Sequence, residues 1–430
     1  MRWYNLKLNK LITKNYKSLR NVDLCFNGQN TVIFGVNGTG KSTLLSAINF
    51  LARPWIYKII KTQSNENQTF IDSDVSIDSD FLELIGEFSL NETTFTLKRS
   101  YKKTQENKRI SQKTYDQKKC DDFVNAFQSL YLNGDSNAMP IYTFYGTNRS
   151  VINIPEKYNE SKTDMISALD RAIDSSVDFK NFFEWYRDCE TKETIAMREA
   201  MDNNAPIIPN PALNNVRYAI EAMIENVSDL RIKHDPIRMT VIKDNKEIRV
   251  DMLSDGEKCT LALFGDLARR LCLANPHSPE PLKGKGIVLI DEIELHMHPS
   301  WQRKVLEKLT SVFPNIQFII TTHSPQVLGE ANNDFLILTI DENTKAIEKV
   351  DRLDGYDSNF ILEKYMKTSS KSQKTKNLIS TLNYHIAKKE YAEASKLLSE
   401  FKALVGENNA DYILVKGYYE RSKKLDAENR

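Results

Sequence analysis

Gly35-Val36-Asn37-Gly38-Thr39-Gly40-Lys41-Ser42-Thr43 is the stretch on which the fold turns. It lies between a short apolar run, Thr31-Val32-Ile33-Phe34, and a helical one, Leu44-Leu45-Ser46-Ala47-Ile48. A G-x-x-x-x-G-K-[ST] motif between a buried strand and a helix is a phosphate-binding loop. The glycines let the backbone wrap so that its N–H groups face a β-phosphate. Lys41 then reaches the β- and γ-phosphates, and the Ser42 hydroxyl serves as a magnesium ligand. Gly35, Asn37, Gly38, Thr39, Gly40, Lys41, Ser42 and Thr43 are the nucleotide-binding candidates.

A site of this kind needs carboxylates, and Gly286-Ile287-Val288-Leu289-Ile290-Asp291-Glu292 supplies them. A buried parallel strand ending in acids presents them at the ligand end of its sheet. Adjacent residues of a strand point to opposite sides, so the two cannot share one task. Asp291 is expected to hold magnesium, and Glu292 to orient and deprotonate the attacking water. A second such strand, Phe318-Ile319-Ile320-Thr321-Thr322, runs into His323-Ser324-Pro325, where His323 can sense the γ-phosphate. A third stretch, Leu253-Ser254-Asp255-Gly256-Glu257, opens a helical run at Leu261. A Ser and a Gly there leave a hydroxyl and free N–H groups where an anion can sit. Ser254, Asp255, Gly256 and Glu257 join the binding candidates.

The remaining chain divides around these motifs. Residues 1–30 read as two strands joined by a polar bend at Lys14-Asn15-Tyr16-Lys17-Ser18, and 82–97 as a hairpin. Residues 62–67 read as loop. The tract from Lys102 to Lys119, with Lys108, Arg109 and Lys113 in it, reads as a solvated basic face, with a phosphate-backbone track as the sharper alternative. Pro140 to Tyr145 is a buried strand whose following loop makes Asn148 and Arg149 further candidates. Residues 160–226 carry aromatics at helical spacing, broken at Asn203 to Pro211. His296 and His298 read as an interface loop rather than a metal site. After a last strand near 334–338, residues 375–424 form about three short helices, too few for a core of their own. Ala387, Tyr391, Ala392, Ala394, Leu397 and Leu398 mark their apolar faces. The expected division is 1–158, a 159–228 helical insertion, 229–350, and a 351–430 appendage.

The chain has 430 residues, 40% hydrophobic and 27% charged, with a net charge of +1 and five scattered cysteines. Such a balance gives no global attraction to nucleic acid. With no apolar run of about eighteen residues, a cytoplasmic chain without a membrane span is expected.

The order of motifs resembles the ABC-type ATPase head of the SMC/RecF-like branch, over roughly residues 4–340. Asp291-Glu292-Ile293-Glu294-Leu295-His296-Met297-His298-Pro299-Ser300-Trp301-Gln302-Arg303, together with Tyr356-Asp357-Ser358-Asn359 and the short helices, resembles the PtuA ATPase subunits of Septu-type anti-phage systems and their retron-linked relatives. The resemblance implies an α/β fold: a P-loop ATPase head with a mixed β-sheet core, an antiparallel β lobe, a helical insertion and a helical appendage. It implies ATP and Mg2+, a homo-oligomer in which Ser254 to Glu257 meet ATP held by another subunit, and an HNH nuclease partner (PtuB). Nucleic acid is then reached through the complex. Adenine contact near Asn15-Tyr16-Lys17 is part of the resemblance, whereas its glutamine loop has only Asn148 in place. The alternatives are a RecF-like DNA-repair ATPase and the ATPase of another two-component defence system with a Toprim nuclease.

Overall fold

The computed structural model describes residues 5–61, 70–103, 115–132, 138–149, 160–176, 179–369 and 371–428. Lys108, Arg109 and Lys113, and the 62–67 loop, lie outside them. The chain forms two compact units, Met1–Ser358 and Asn359–Arg430.

In the first unit β1 (Leu6–Tyr16) and β2 (Leu19–Cys25) form a hairpin, followed by β3 (Asn30–Phe34), the phosphate loop and α1 (Lys41–Ile59). Next come β4 (Phe81–Leu90), β5 (Thr93–Lys102), α2 (Gln117–Leu132) and β6 (Ile141–Tyr145). The insertion contributes α3 (Phe179–Asp202) and α4 (Pro211–Met223), which Asn210 caps through its side chain. Then follow β7 (Val227–Lys233), β8 (Arg238–Lys243), β9 (Lys246–Arg249), α5 (Asp255–Ala274) and β10 (Gly286–Ile290). The unit continues through α6 (Pro299–Gln302), α7 (Val305–Val312), β11 (Ile316–Thr322), α8 (Pro325–Leu328), β12 (Phe335–Ile340) and β13 (Ile347–Val350).

The central sheet runs β13-β12-β3-β11-β10-β6. Its pairings are parallel except β12 with β13. Strands buried on both faces read as continuous apolar runs rather than alternating ones, and Val32, Ile33, Phe34 and all of β10 are buried. A four-stranded antiparallel sheet, β2-β1-β4-β5, forms the second lobe, and β7-β8-β9 a third small sheet. The mixed central sheet and separate antiparallel lobe are the expected α/β architecture. Trp55 of α1, fully buried, packs against Phe123 and Phe127 of α2 and Tyr142 of β6, tying the lobe's helices to the sheet.

Of the basic tract, Lys102, Lys118 and Lys119 are exposed, as a solvated face requires, the last two in the first turn of α2. Two expectations change. The last expected strand is followed by the edge strand β13, with β12 reaching Ile340. The second unit, α9 (Ser358–Lys364), α10 (Gln373–Ala387), α11 (Tyr391–Val405) and α12 (Ala410–Glu428), makes a core of its own. That core is Leu382, Ile386, Ala394, Leu398, Phe401, Tyr412 and Val415. α10, α11 and α12 each contribute at i, i+3 or i+4, so three short amphipathic faces close on one another. Ala387 and Ala392 lie outside it, exposed. The compact unit, Asn359–Arg430, lies within the 351–430 span read as a linker and helical domain.

Candidate functional site

Parallel strands deliver their C-terminal ends to one edge of a sheet, and here β3, β10 and β11 bring the phosphate loop, Asp291-Glu292 and His323 to the same edge. Gly40 adopts φ 113° directly before α1, and a Cβ there would lie 2.9 Å from Ser18 Oγ of the β1–β2 turn. Only glycine combines that backbone with that approach. The Lys41 ammonium donates to the Gly35 carbonyl (2.9 Å) and the Val36 carbonyl (3.1 Å). Burial pushes the Lys41 pKa down to about 8, against the pull of Asp291, Glu292 and Glu294.

The carboxylates are held by β11 and by the turn that follows them. Thr321 Oγ1 donates to Asp291 Oδ1, and the Glu292 N–H donates to Thr321 Oγ1 at 2.8 Å. Glu292 sits in the left-handed region (φ 48°), an uncommon backbone for a non-glycine residue. His323 Nε2 is 3.8 Å from Glu292 Oε1. Burial, then the Lys41 charge, lowers the His323 pKa below its ordinary value while the three carboxylates oppose the shift, so the imidazole is neutral at pH 7. Asp291, 6% exposed, and the Ser42 hydroxyl offer hard oxygen donors. This set suits Mg2+, which takes one or two carboxylates and keeps several waters.

Glu294 had no role in the sequence reading, and Arg149 takes a different role from the one expected. Glu294 accepts from the His323 N–H and from Thr322 Oγ1 (2.7 Å), fixing the start of the histidine loop. Arg149, 4% exposed, donates from one guanidinium nitrogen to the carbonyls of Asp291 (2.7 Å) and Glu292. It was expected to face ligand. It faces inward and clasps the backbone of the two acids, while Asn148 beside it is exposed. Only the carbonyls' geometry, invisible in sequence, distinguishes the two roles. At the Asn15-Tyr16-Lys17 bend the tyrosine is turned in while Lys17 is exposed. Tyr16 is fully buried, hydrogen-bonds Ser46 at 3.0 Å and packs edge-on against Phe50 and Phe70.

The Ser254 stretch forms the start of α5 with a reciprocal cap. Ser254 Oγ accepts from the Glu257 N–H, and the Ser254 N–H donates to Glu257 Oε2 at 2.9 Å. Glu257 is buried, paired with Lys243 at 2.6 Å. Burial raises its pKa, but Lys243 and Ser254 outweigh that and hold the carboxyl below its usual range. Glu257 therefore shapes the helix start and is not itself exposed to a ligand. Ser254 and Asp255 are exposed beside it. At Gly256 a Cβ would come 2.3 Å from the His296 carbonyl, so this helix start is pressed onto the loop after Glu292. His298 caps α6, and no cluster of three metal-ligating side chains exists among the described residues.

Comparisons with known proteins give a family and several relatives. Residues 31–329 match the family described as "AAA domain, putative AbiEii toxin, Type IV TA system". The "Retron Vc95 probable ATPase" of Vibrio cholerae serotype O1 biovar El Tor is 33% identical over 378 residues, covering 76% of this chain and 72% of that protein. The "Retron Ec83 probable ATPase" of Escherichia coli is 25% identical over 93% of this chain and 80% of its own length. The Septu protein PtuA of Bacillus mycoides is 34% identical over 140 residues, 32% of this chain and 19% of that protein.

Proposed function

Because this chain belongs to the AAA-domain family just described, spanning its residues 31–329, we infer that it is an ABC-type ATPase of an anti-phage defence complex. The observation that carries the chemistry is the meeting of Lys41, Asp291, Glu292 and His323 at one sheet edge, with Glu292 and His323 3.8 Å apart.

In this reading the phosphate loop holds the β-phosphate on its N–H groups, and the Lys41 ammonium exchanges its loop carbonyls for phosphate oxygens. Ser42 and Asp291 hold Mg2+, which when bound neutralises charge on the β- and γ-oxygens. Glu292 accepts the proton of the attacking water. Neutral His323 donates a hydrogen bond to the γ-phosphate and reports its presence. Ser254 and the free N–H groups of α5 close the site on ATP bound by a second copy of the chain.

The names of the relatives support a place in a retron- or Septu-type system. By the Septu resemblance the nuclease is a separate HNH subunit whose activity this ATPase governs. The hydrolytic assignment is tested with Glu292→Gln. Phosphate release should fall by about 10²- to 10⁴-fold while ATP still binds. Unaltered release would reject the role of Glu292.

A further inference from the structure

The six-residue turn between β12 and β13 is built to present one lysine. Asp341 Oδ1 accepts from the N–H groups of Asn343 (3.0 Å) and Thr344 (2.9 Å) and from Thr344 Oγ1 (3.1 Å). The Asp341 N–H donates to the Ala346 carbonyl at 2.9 Å and the Lys345 N–H to the Asp341 carbonyl at 3.1 Å. These bonds hold Lys345 at φ 57°. Its ammonium donates to the carbonyl of Gly38, at the apex of the phosphate loop, at 3.2 Å across 307 residues of sequence. Lys345 is half-buried and pairs with no carboxylate among the described residues. The turn is seated on the loop as well, since Gly35 packs against the Ile340 carbonyl.

The strand order gives this cation a side. β3 lies between β12 and β11, so Asp291, Glu292 and His323 stand on one flank of the phosphate loop and Lys345 on the other. A triphosphate whose γ end faces the hydrolytic groups directs its nucleoside away from them. An ammonium has three donors and no acceptor, matching the ribose and base acceptors of a nucleoside. We propose that Lys345 is a nucleotide-binding residue for the nucleoside half of ATP, held by the β12–β13 turn on the flank opposite the hydrolytic carboxylates. The proposal rests on the ATP-site reading above.

The test compares ADP with inorganic tripolyphosphate, which lacks ribose and base, each binding to the full chain with Mg2+ in a calorimeter. For Lys345→Met the dissociation constant of ADP should rise by about tenfold, the scale of one charged hydrogen bond. That of tripolyphosphate should stay within about twofold, and Lys345→Arg should restore most ADP affinity. Tripolyphosphate binding also reports that the variant's loop is intact. Equal weakening of both ligands would make Lys345 a strut of the loop and overturn the proposal, as would unchanged ADP affinity. Failure of the unsubstituted chain to bind either ligand would overturn the ATP-site reading and this proposal with it.

Discussion

Arg149 shows how a pair of acids at a strand end is held from behind by a buried guanidinium. A guanidinium presents donors in a fixed fork, and this one grips two successive carbonyls behind Asp291 and Glu292. The left-handed Glu292 backbone is thereby held from behind while Thr321 holds it from the front. Arg149→Met is expected to lower ATP turnover on the order of a hundredfold, the cost of misplacing a reacting group by about an ångström. Nucleotide affinity, read by fluorescent ADP titration, should remain, and Arg149→Lys should recover part of the rate. A loss of affinity as large as the loss of rate would mean that Arg149 supports the fold rather than the carboxylate. At this scale the sequence was legible where chemistry repeats a spacing, as from Gly35 to Ser42. It was silent where a side chain's target is a backbone carbonyl, as for Arg149 and Lys345.

Among the elements, α5 carries the greatest buried charge. Asp266 is fully buried and accepts from Arg269 (2.7 Å), Arg270 (2.6 Å) and Tyr145 Oη (2.8 Å). Arg270 continues to the carbonyls of Ala168 (2.7 Å) and Asp170 (3.0 Å). Burial opposes ionisation of Asp266, but Arg270 and Arg269 outweigh it and hold its pKa below the usual value. Removing one member of such a set leaves buried charge uncompensated. Asp266→Asn should therefore lower the unfolding free energy by about 3–5 kcal/mol, measured by urea denaturation. A change within about 0.5 kcal/mol, the range of ordinary surface substitutions, would show the network to be dispensable. The helix itself was readable from Ser254 and the apolar run after it. Its polar network was not, because Asp266, Arg269 and Arg270 at i, i+3 and i+4 look like an exposed charged face.

On the scale of the whole molecule, the exposed Ser254 end of α5 is the surface that the proposed shared site would use. A Lys41→Ala chain mixed with a Ser254→Arg chain leaves one intact composite site per mixed pair. Random pairing in a two-fold dimer should restore about a quarter of the native sites. Measured turnover that stays at the level of the separate variants, with mixed pairs present, would reject the shared site. The second unit was misjudged in sequence because three helices of modest amphipathicity looked unable to close a core; seven buried residues suffice. The central parallel sheet was legible because its strands read as apolar runs next to the motifs. The near-complete burial of α5 has a mechanical consequence. Cys259 to Ala274 are all buried, and Gly265 lies against Phe182 of α3. A helix enclosed on every side moves as a rigid rod, here about 30 Å long. If a second copy closes on Ser254 as proposed, one continuous helix joins that contact to Phe182 of the insertion.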